Sequence, residues 1–275
     1  MKKTLLVLVC ITFTVLGMAQ TKSDPKKDST KTTTKKEVVK PAPKKAVVKP
    51  VVVAEPKKDW TKVDLSKRPA DHFMMQYGYD GWTNRPDSVH TAGFSRHFNF
   101  YFMLDKPIKG NPKFSLAFGA GLGTSNIFFS GTRIDVKSIG NTLPFTKADS
   151  SDHFHKLKIT TIYVQAPVEI RYFSNPENPD KSWKAAFGMK LGTLINAYTK
   201  GKDYQNKNGA SYYGPSYIQK EYDNKFFNTT SVDFTLRVGY GIVSLDGGFA
   251  ATPVLKTGAG PAMNKFSIGL TISGL

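Results

Sequence analysis

Apolar and polar side chains trade places at almost every step of VQAPVEIRYF, residues 164–173, although the polar set includes Glu169 and Arg171. Strict alternation predicts a β-strand with two unlike faces, because successive side chains point to opposite sides of the pleat. From Asp71 onward the same period recurs in stretches 72–82, 94–104, 113–126, 156–173, 182–198, 230–241, 243–253 and 265–275. Most have a core of about ten residues, the length a tilted strand needs to cross a bilayer. No later run reaches the roughly 20 apolar residues of a spanning helix.

The connections carry an order of their own. Connections one, three, five and seven are longer than two, four and six, and the reversal near Gly241-Ile242 is the tightest. Short turns at one end and long loops at the other are the pattern of an outer-membrane barrel. It predicts an all-β, eight-stranded antiparallel up-and-down transmembrane barrel with both chain ends on the periplasmic side.

A soluble up-and-down barrel shares this alternation but turns the apolar face inward. The two forms differ in where Glu169, Arg171, Lys190, Asp233 and Arg237 point. Facing lipid at mid-bilayer, a Lys or Arg costs about 2–4 kcal/mol and an acid somewhat less, so a membrane barrel must hold all five inside. Three features favour that form. Aromatic residues gather towards strand ends, among them Tyr79, Trp82, Phe94, Tyr172, Trp183, Tyr198, Tyr240 and Phe266, as rings at the two bilayer interfaces do. Glycines at 119, 121, 123, 188, 192 and 239 share the polar face and leave room for long inward side chains. Phe94, Phe98, Phe100, Phe102 and Leu104 crowd one face of the second strand.

The N-terminus changes the compartment. Met1-Lys2-Lys3, an apolar run and Gly17-Met18-Ala19 read as a secretory signal peptide over 1–19. Residues 20–58 hold 12 lysines against 4 acids, with repeated Pro and no aromatic residue, which predicts a disordered, extended basic tether. The barrel domain is then 59–275. The net charge of +18 suggests nucleic acid until export is considered. An anionic cell-wall polymer or an envelope protein suits the tether better, and outer-membrane lipid suits the barrel. Cys10, the single cysteine, leaves with the leader.

YVQAPVEIRYF, with a proline inside an apolar strand and a basic-aromatic end, resembles a strand of the PorT-like, porin-like outer-membrane β-barrel family of Gram-negative bacteria. LRVGYGIVSLDGGFAATPVLKTGAGPAMNKFSIGLTISGL resembles that family's last three strands. The likeness covers roughly 72–275 and departs at Leu275, where an aromatic residue often ends such barrels. It implies a membrane barrel, in some relatives with a part in secretion or cell-surface assembly, and it supplies no catalytic residue.

Candidate chemistry is sparse. An eight-stranded barrel is just wide enough for side chains to fill, so Glu169, Arg171, Lys190, Asp233 and Arg237 are expected to form a paired plug. Tyr204, Tyr212, Tyr213, Tyr217 and Tyr222 are interleaved with Gly, Asn and Ser in the fifth connection, a composition suited to binding a surface ligand. Arg96 interrupts the apolar second strand near its external end, where it can reach lipid phosphate by snorkelling. Asp152-His153-Phe154-His155 offers only two imidazoles to a metal. Asp80, His90, Asp152 and His153 supply acid and base types at the expected rim without any motif ordering them. No cofactor, metal or catalytic activity is expected. The functional expectation is a non-enzymatic surface role in binding, envelope assembly or secretion support. Passive solute transport and a soluble periplasmic carrier are the alternatives.

Overall fold

The computed structural model describes residues 72–147 and 152–274. The signal peptide, the basic tether, the start of the barrel domain and Leu275 lie outside the described residues. The elements are β1 (Phe73–Thr83), β2 (Arg96–Pro107), β3 (Phe114–Phe129), β4 (Thr132–Ile134), β5 (Phe145–Lys147), β6 (His153–Phe173), β7 (Trp183–Gln205), β8 (Ile218–Tyr222), β9 (Thr230–Tyr240), β10 (Val243–Pro253) and β11 (Asn264–Ser273).

Eight of these close into a ring, β1–β2–β3–β6–β7–β9–β10–β11 and back to β1, with every neighbouring pair antiparallel. Each of the eight alternating stretches in the sequence corresponds to one ring strand. Closure between β1 and β11, from Met74↔Ser273 to Thr83↔Asn264, removes the free sheet edges that lipid cannot satisfy. β9 and β10 reverse through Gly241-Ile242. Gly241 has φ of 61°, the positive value a two-residue hairpin turn of the primed type requires there.

The faces divide as a membrane barrel demands. On β6, Val164, Val168 and Ile170 are exposed, whereas Gln165, Glu169 and Arg171 are buried. On β7, Phe187 is 59% exposed and Lys190 is buried; on β9, Leu236 and Val238 face out while Asp233 and Arg237 face in. Aromatic pairs ring the barrel at two heights. Phe114–Tyr172 and Trp183–Tyr240 lie at the short-turn end, with ring centroids 5.3 and 5.7 Å apart. Tyr79–Phe94, Tyr79–Phe266 and Tyr198–Tyr222 lie towards the long-loop end at 5.8, 6.0 and 5.1 Å. The inward glycines do leave room: a Cβ at Gly188 would lie 2.8 Å from Glu169 Cγ, and one at Gly121 would lie 2.7 Å from Tyr101 Cδ1.

Above the upper girdle the polarity reverses. On β6, Leu157 and Ile159 are buried while Lys156 is exposed. The register between β6 and β7 slips at one point, where Tyr163 pairs with Leu194 and Ile162 with Asn196, leaving Ile195 as the extra residue. A single extra residue exchanges the two faces of everything beyond it. Below the slip the outward positions of β7 are odd (Phe187, Met189, Leu191, Ile195); above it Ala197 and Thr199 are buried.

The strand expected to stop at 198 therefore runs to Gln205, and β8 pairs with its extension from Tyr198↔Tyr222 to Lys202↔Ile218. Sequence reading ended this strand early because the bulge breaks the phase and Lys replaces the apolar set outside. The longer connections at this end are also structured: Trp82, Ile127, Phe129, Ile159, Phe226, Phe227, Leu255 and Met263 belong to one buried apolar cluster.

Candidate functional site

Three places carry polar chemistry: the lumen, the tyrosine-rich connection and the outer rim. All five sequence-predicted lumen charges point inward. Glu169 is 1% exposed, and its Oε2 accepts from Arg171 Nε at 3.0 Å and from Arg237 Nη2 at 2.6 Å. Arg171 Nη1 also lies 4.0 Å from Asp105 Oδ1, which accepts from Ser115 Oγ at 2.6 Å. Higher up, Lys190 Nζ donates to Gln76 Oε1 at 2.6 Å and lies 5.0 Å from the centre of the Tyr101 ring. Gln76 Nε2 donates to Thr271 Oγ1 at 2.9 Å, and Thr271 to Asp246 Oδ1 at 2.7 Å. Asp233 accepts from Gln165, Ser231 and Lys265 at 3.3, 2.9 and 3.1 Å.

The network is wider than the sequence suggested. Among the described residues, the carboxylates of Asp80, Asp105, Glu169, Asp233 and Asp246 face the cations of Arg171, Lys184, Lys190, Arg237 and Lys265, five against five, with the His97 imidazole beside Asp80. Equal numbers matter because an unpaired charge in a dry interior costs several kcal/mol, whereas a paired and hydrogen-bonded one is tolerated. Gln76, Tyr101, Asp246 and Lys265 were not singled out from the sequence. Their signal was parity: each shares the inward phase of its strand. Where it is described, the lumen is packed shut. The voids beside Lys190 and beside Tyr163 measure about 10 and 30 Å³, room for a water molecule or so rather than a path. Beyond them the apolar cluster of the connections closes the long-loop mouth.

The rim acids and imidazoles do not converge. Asp80, expected at the rim, is 1% exposed inside the barrel, where its Oδ1 pairs with His97 Nδ1 at 2.8 Å and its Oδ2 accepts from Ser125 Oγ. This places Ser, Asp and His together, but the serine donates to the carboxylate instead of to the imidazole that would have to take its proton. Asp80 misled because it lies near the end of its alternating stretch, while β1 continues to Thr83. His90 is exposed on the first connection. Asp152 and His153 line a separate cavity of about 160 Å³ with Arg133, Asp135 and Glu221. Among the described residues no group of three or more side chains is arranged to hold a metal ion.

The tyrosines form a chain of rings. Tyr204–Tyr212, Tyr212–Tyr213 and Tyr213–Tyr217 are 5.7, 6.4 and 4.7 Å apart. Tyr213 remains 67% exposed and Tyr212 53%. Tyr212 Oη donates to Asp152 Oδ1 at 3.1 Å, and this bond first, with the adjacent carboxylate charge, raises the phenol above its ordinary value. Tyr222 stands apart, because β8 carries it to the outer face beside Tyr198. Arg96 lies on the outer face as expected, 5.4 Å from the centre of the Phe128 ring.

Residues 74–251 match the family described as outer membrane protein beta-barrel domain. No curated protein matches the chain. The matched segment runs from β1 into β10 and contains seven of the eight ring strands, wholly or in large part, together with Glu169, Arg171 and Arg237 of the lumen. A closed ring with apolar side chains outside, charges inside and aromatic residues at two heights is the arrangement such a family needs. The chain belongs to the outer membrane protein beta-barrel domain family, and its barrel is an outer-membrane barrel.

Proposed function

We propose that this protein is a non-enzymatic outer-membrane barrel that binds a partner at the cell surface, in support of envelope assembly or secretion, through the tyrosine-rich connection between β7 and β9. The observation that carries this reading is the double closure of the lumen, by balanced charges within the barrel and by an apolar cluster at the long-loop mouth. A filled barrel leaves its external surface as the place where function resides. The exposed ring chain of Tyr212 and Tyr213 supports the choice of that connection, since tyrosine offers large, stiff contact area at low entropic cost. In this reading the long loops face outward, both chain ends lie in the periplasm, and the basic tether meets wall polymer or an envelope protein there. The likeness of YVQAPVEIRYF to PorT-like barrels agrees with a role in secretion or surface assembly.

Passive transport is the competing reading, and planar-bilayer recording separates the two. The purified barrel is expected to give no stable open-channel steps; steady conductance would replace the binding role with a transport one. Replacing residues 206–217 by a short Gly-Ser turn is expected to leave the barrel folded and to abolish capture, by a photo-crosslinker on β8, of the partner that position 213 crosslinks in the intact protein. Crosslinked partners still recovered from β8 at the intact yield would remove the loop from the proposal.

A further inference from the structure

The extensions of β6, β7 and β8 above the upper aromatic girdle carry an unusual outer face. Lys158 stands directly opposite Lys200, and Lys200 opposite Lys220, so three ammonium groups form one row across three strands. Lys156 faces Lys202 in the next row, and Arg96 comes alongside from β2 through Phe128. Like charges directly across an antiparallel pair destabilise it. The remaining outward positions among the described residues here are Asn126, Phe128, Thr160, Tyr198, Ile218 and Tyr222, none of them acidic. Glu221, the carboxylate nearest in sequence, turns to the other side of β8 and accepts from Gln219 at 2.7 Å. Among the described residues no carboxylate offsets the repulsion in this row, which leaves that part to a bound anionic group.

The position indicates what that is. Tyr198 and Tyr222, one step nearer the short-turn end on the same strands, form part of the interfacial girdle. Below them begins the lipid-facing surface of Ile162, Val164 and Ile195. The cations therefore stand at headgroup height, on the lipid side of the wall. The bulge at Ile195 is what turns Lys200 and Lys202 outward. Between the cations runs an open groove of about 190 Å³ floored by the Phe128 ring, apolar below and cationic around. Lys158 Nζ is steered by Asn126 Oδ1 at 2.6 Å and lies 5.7 Å from the Phe128 ring centre. The charge is confined to one sector, because outward positions at the same end of β1, β9 and β10 are Thr83, Thr230 and Ala251.

We propose that this face is a binding site for the phosphate groups of an anionic lipid in the leaflet that meets the long-loop end. Arg96, Lys158, Lys200 and Lys220 hold the phosphates, and the Phe128 floor takes the upper part of an acyl chain or a sugar ring. Several cations on adjacent strands suit a lipid carrying more than one phosphate.

The test uses the full barrel in phosphatidylcholine vesicles doped with spin-labelled phosphatidic acid or spin-labelled phosphatidylcholine, reading the motionally restricted fraction of each. Wild-type protein is expected to restrict the phosphatidic acid about fivefold more than the zwitterionic lipid, with the Lys158→Gln, Lys200→Gln, Lys220→Gln triple variant reduced to near parity. The same three changes are expected to leave the unfolding midpoint in pure phosphatidylcholine unchanged or raised, since they relieve repulsion. A control with Lys137→Gln, Lys207→Gln and Lys256→Gln removes equal charge from the same end off the patch and is expected to keep the preference. If the control loses it equally, general charge attraction explains the binding and the site does not exist. Displacement of the labelled lipid by millimolar inorganic phosphate would assign the cations to a free anion and overturn the lipid. An unselective wild-type barrel would overturn the proposal outright.

Discussion

Strand β6 obeys two opposite burial rules within one continuous element. From Ile162 to Tyr172 its even positions are apolar and point outward, and its odd positions, Gln165, Glu169 and Arg171, are buried. A few residues closer to the loops, Leu157 and Ile159 are buried and Lys156 and Lys158 face out. Nothing in the backbone changes along β6, so the reversal reports the medium. Against hydrocarbon the hydrophobic effect gives the interior no advantage for apolar groups, and hydrogen bonding with charge pairing decides what is buried. Against water the ordinary rule returns. The boundary between the two lies where Tyr198 meets Tyr222 and where β7 inserts Ile195.

The strongest way to break this comparison is to remove the bulge. Deleting Ile195 puts Lys200 and Lys202 on the side of the apolar cluster and Ala197 outside, or else inverts the lower half of β7 against lipid. Either choice is expected to prevent assembly, read as loss of the heat-modifiable folded band on cold gel electrophoresis. A normal folded yield would show that the slip is incidental.

The two interiors should also fail differently. Glu169→Ala removes the carboxylate that Arg171 and Arg237 share in the lumen and is expected to cost about 3–5 kcal/mol, the scale for breaking one side of a buried ion pair. Urea unfolding in vesicles measures it, and a loss below 1 kcal/mol would mean the arginines have other adequate partners. In the apolar cluster, Leu255→Ala should cost about 2–5 kcal/mol. Its loss should be similar in thick and thin bilayers, because Leu255 touches no lipid; a cost that tracks bilayer thickness would place the cluster inside the membrane. The outer face gives a smaller and more graded contrast. Phe187→Lys, in the lipid band, is expected to cost about 2–4 kcal/mol. Ile218→Lys, above the girdle, meets only the like charge of Lys202 opposite it and should cost no more than about 1 kcal/mol. Equal costs at the two positions would erase the boundary.

The parts of this organisation legible in the sequence are those governed by period. All eight ring strands were visible because lipid imposes a strict two-residue alternation, and the inward charges of β6, β7 and β9 follow from the cost of exposing them. Pairing was not legible. Lys190 reaches Gln76 across 114 residues of chain and Arg237 reaches Glu169 across 68, and only ring closure brings such positions together. The upper extension was missed for another reason. One extra residue at Ile195 changes the phase, and Lys200 and Lys202 beyond it look like solvated loop. Tyr222 was grouped with the loop tyrosines by composition, although β8 carries it to the lipid side.

The most direct measurement is a nitroxide scan along β6, one cysteine at a time from Lys156 to Tyr172, in vesicles and without Cys10. Oxygen, which partitions into hydrocarbon, should relax labels at Ile162, Val164, Val168 and Ile170, and a water-soluble nickel chelate should relax those at Lys156 and Lys158. Labels at Ile159, Tyr163 and Gln165 should be shielded from both. Were Val164 and Val168 hidden from oxygen while Gln165 met the nickel chelate, the barrel would be the right way out for water, and the inversion on which the lumen, the rim and the lipid site all depend would be gone.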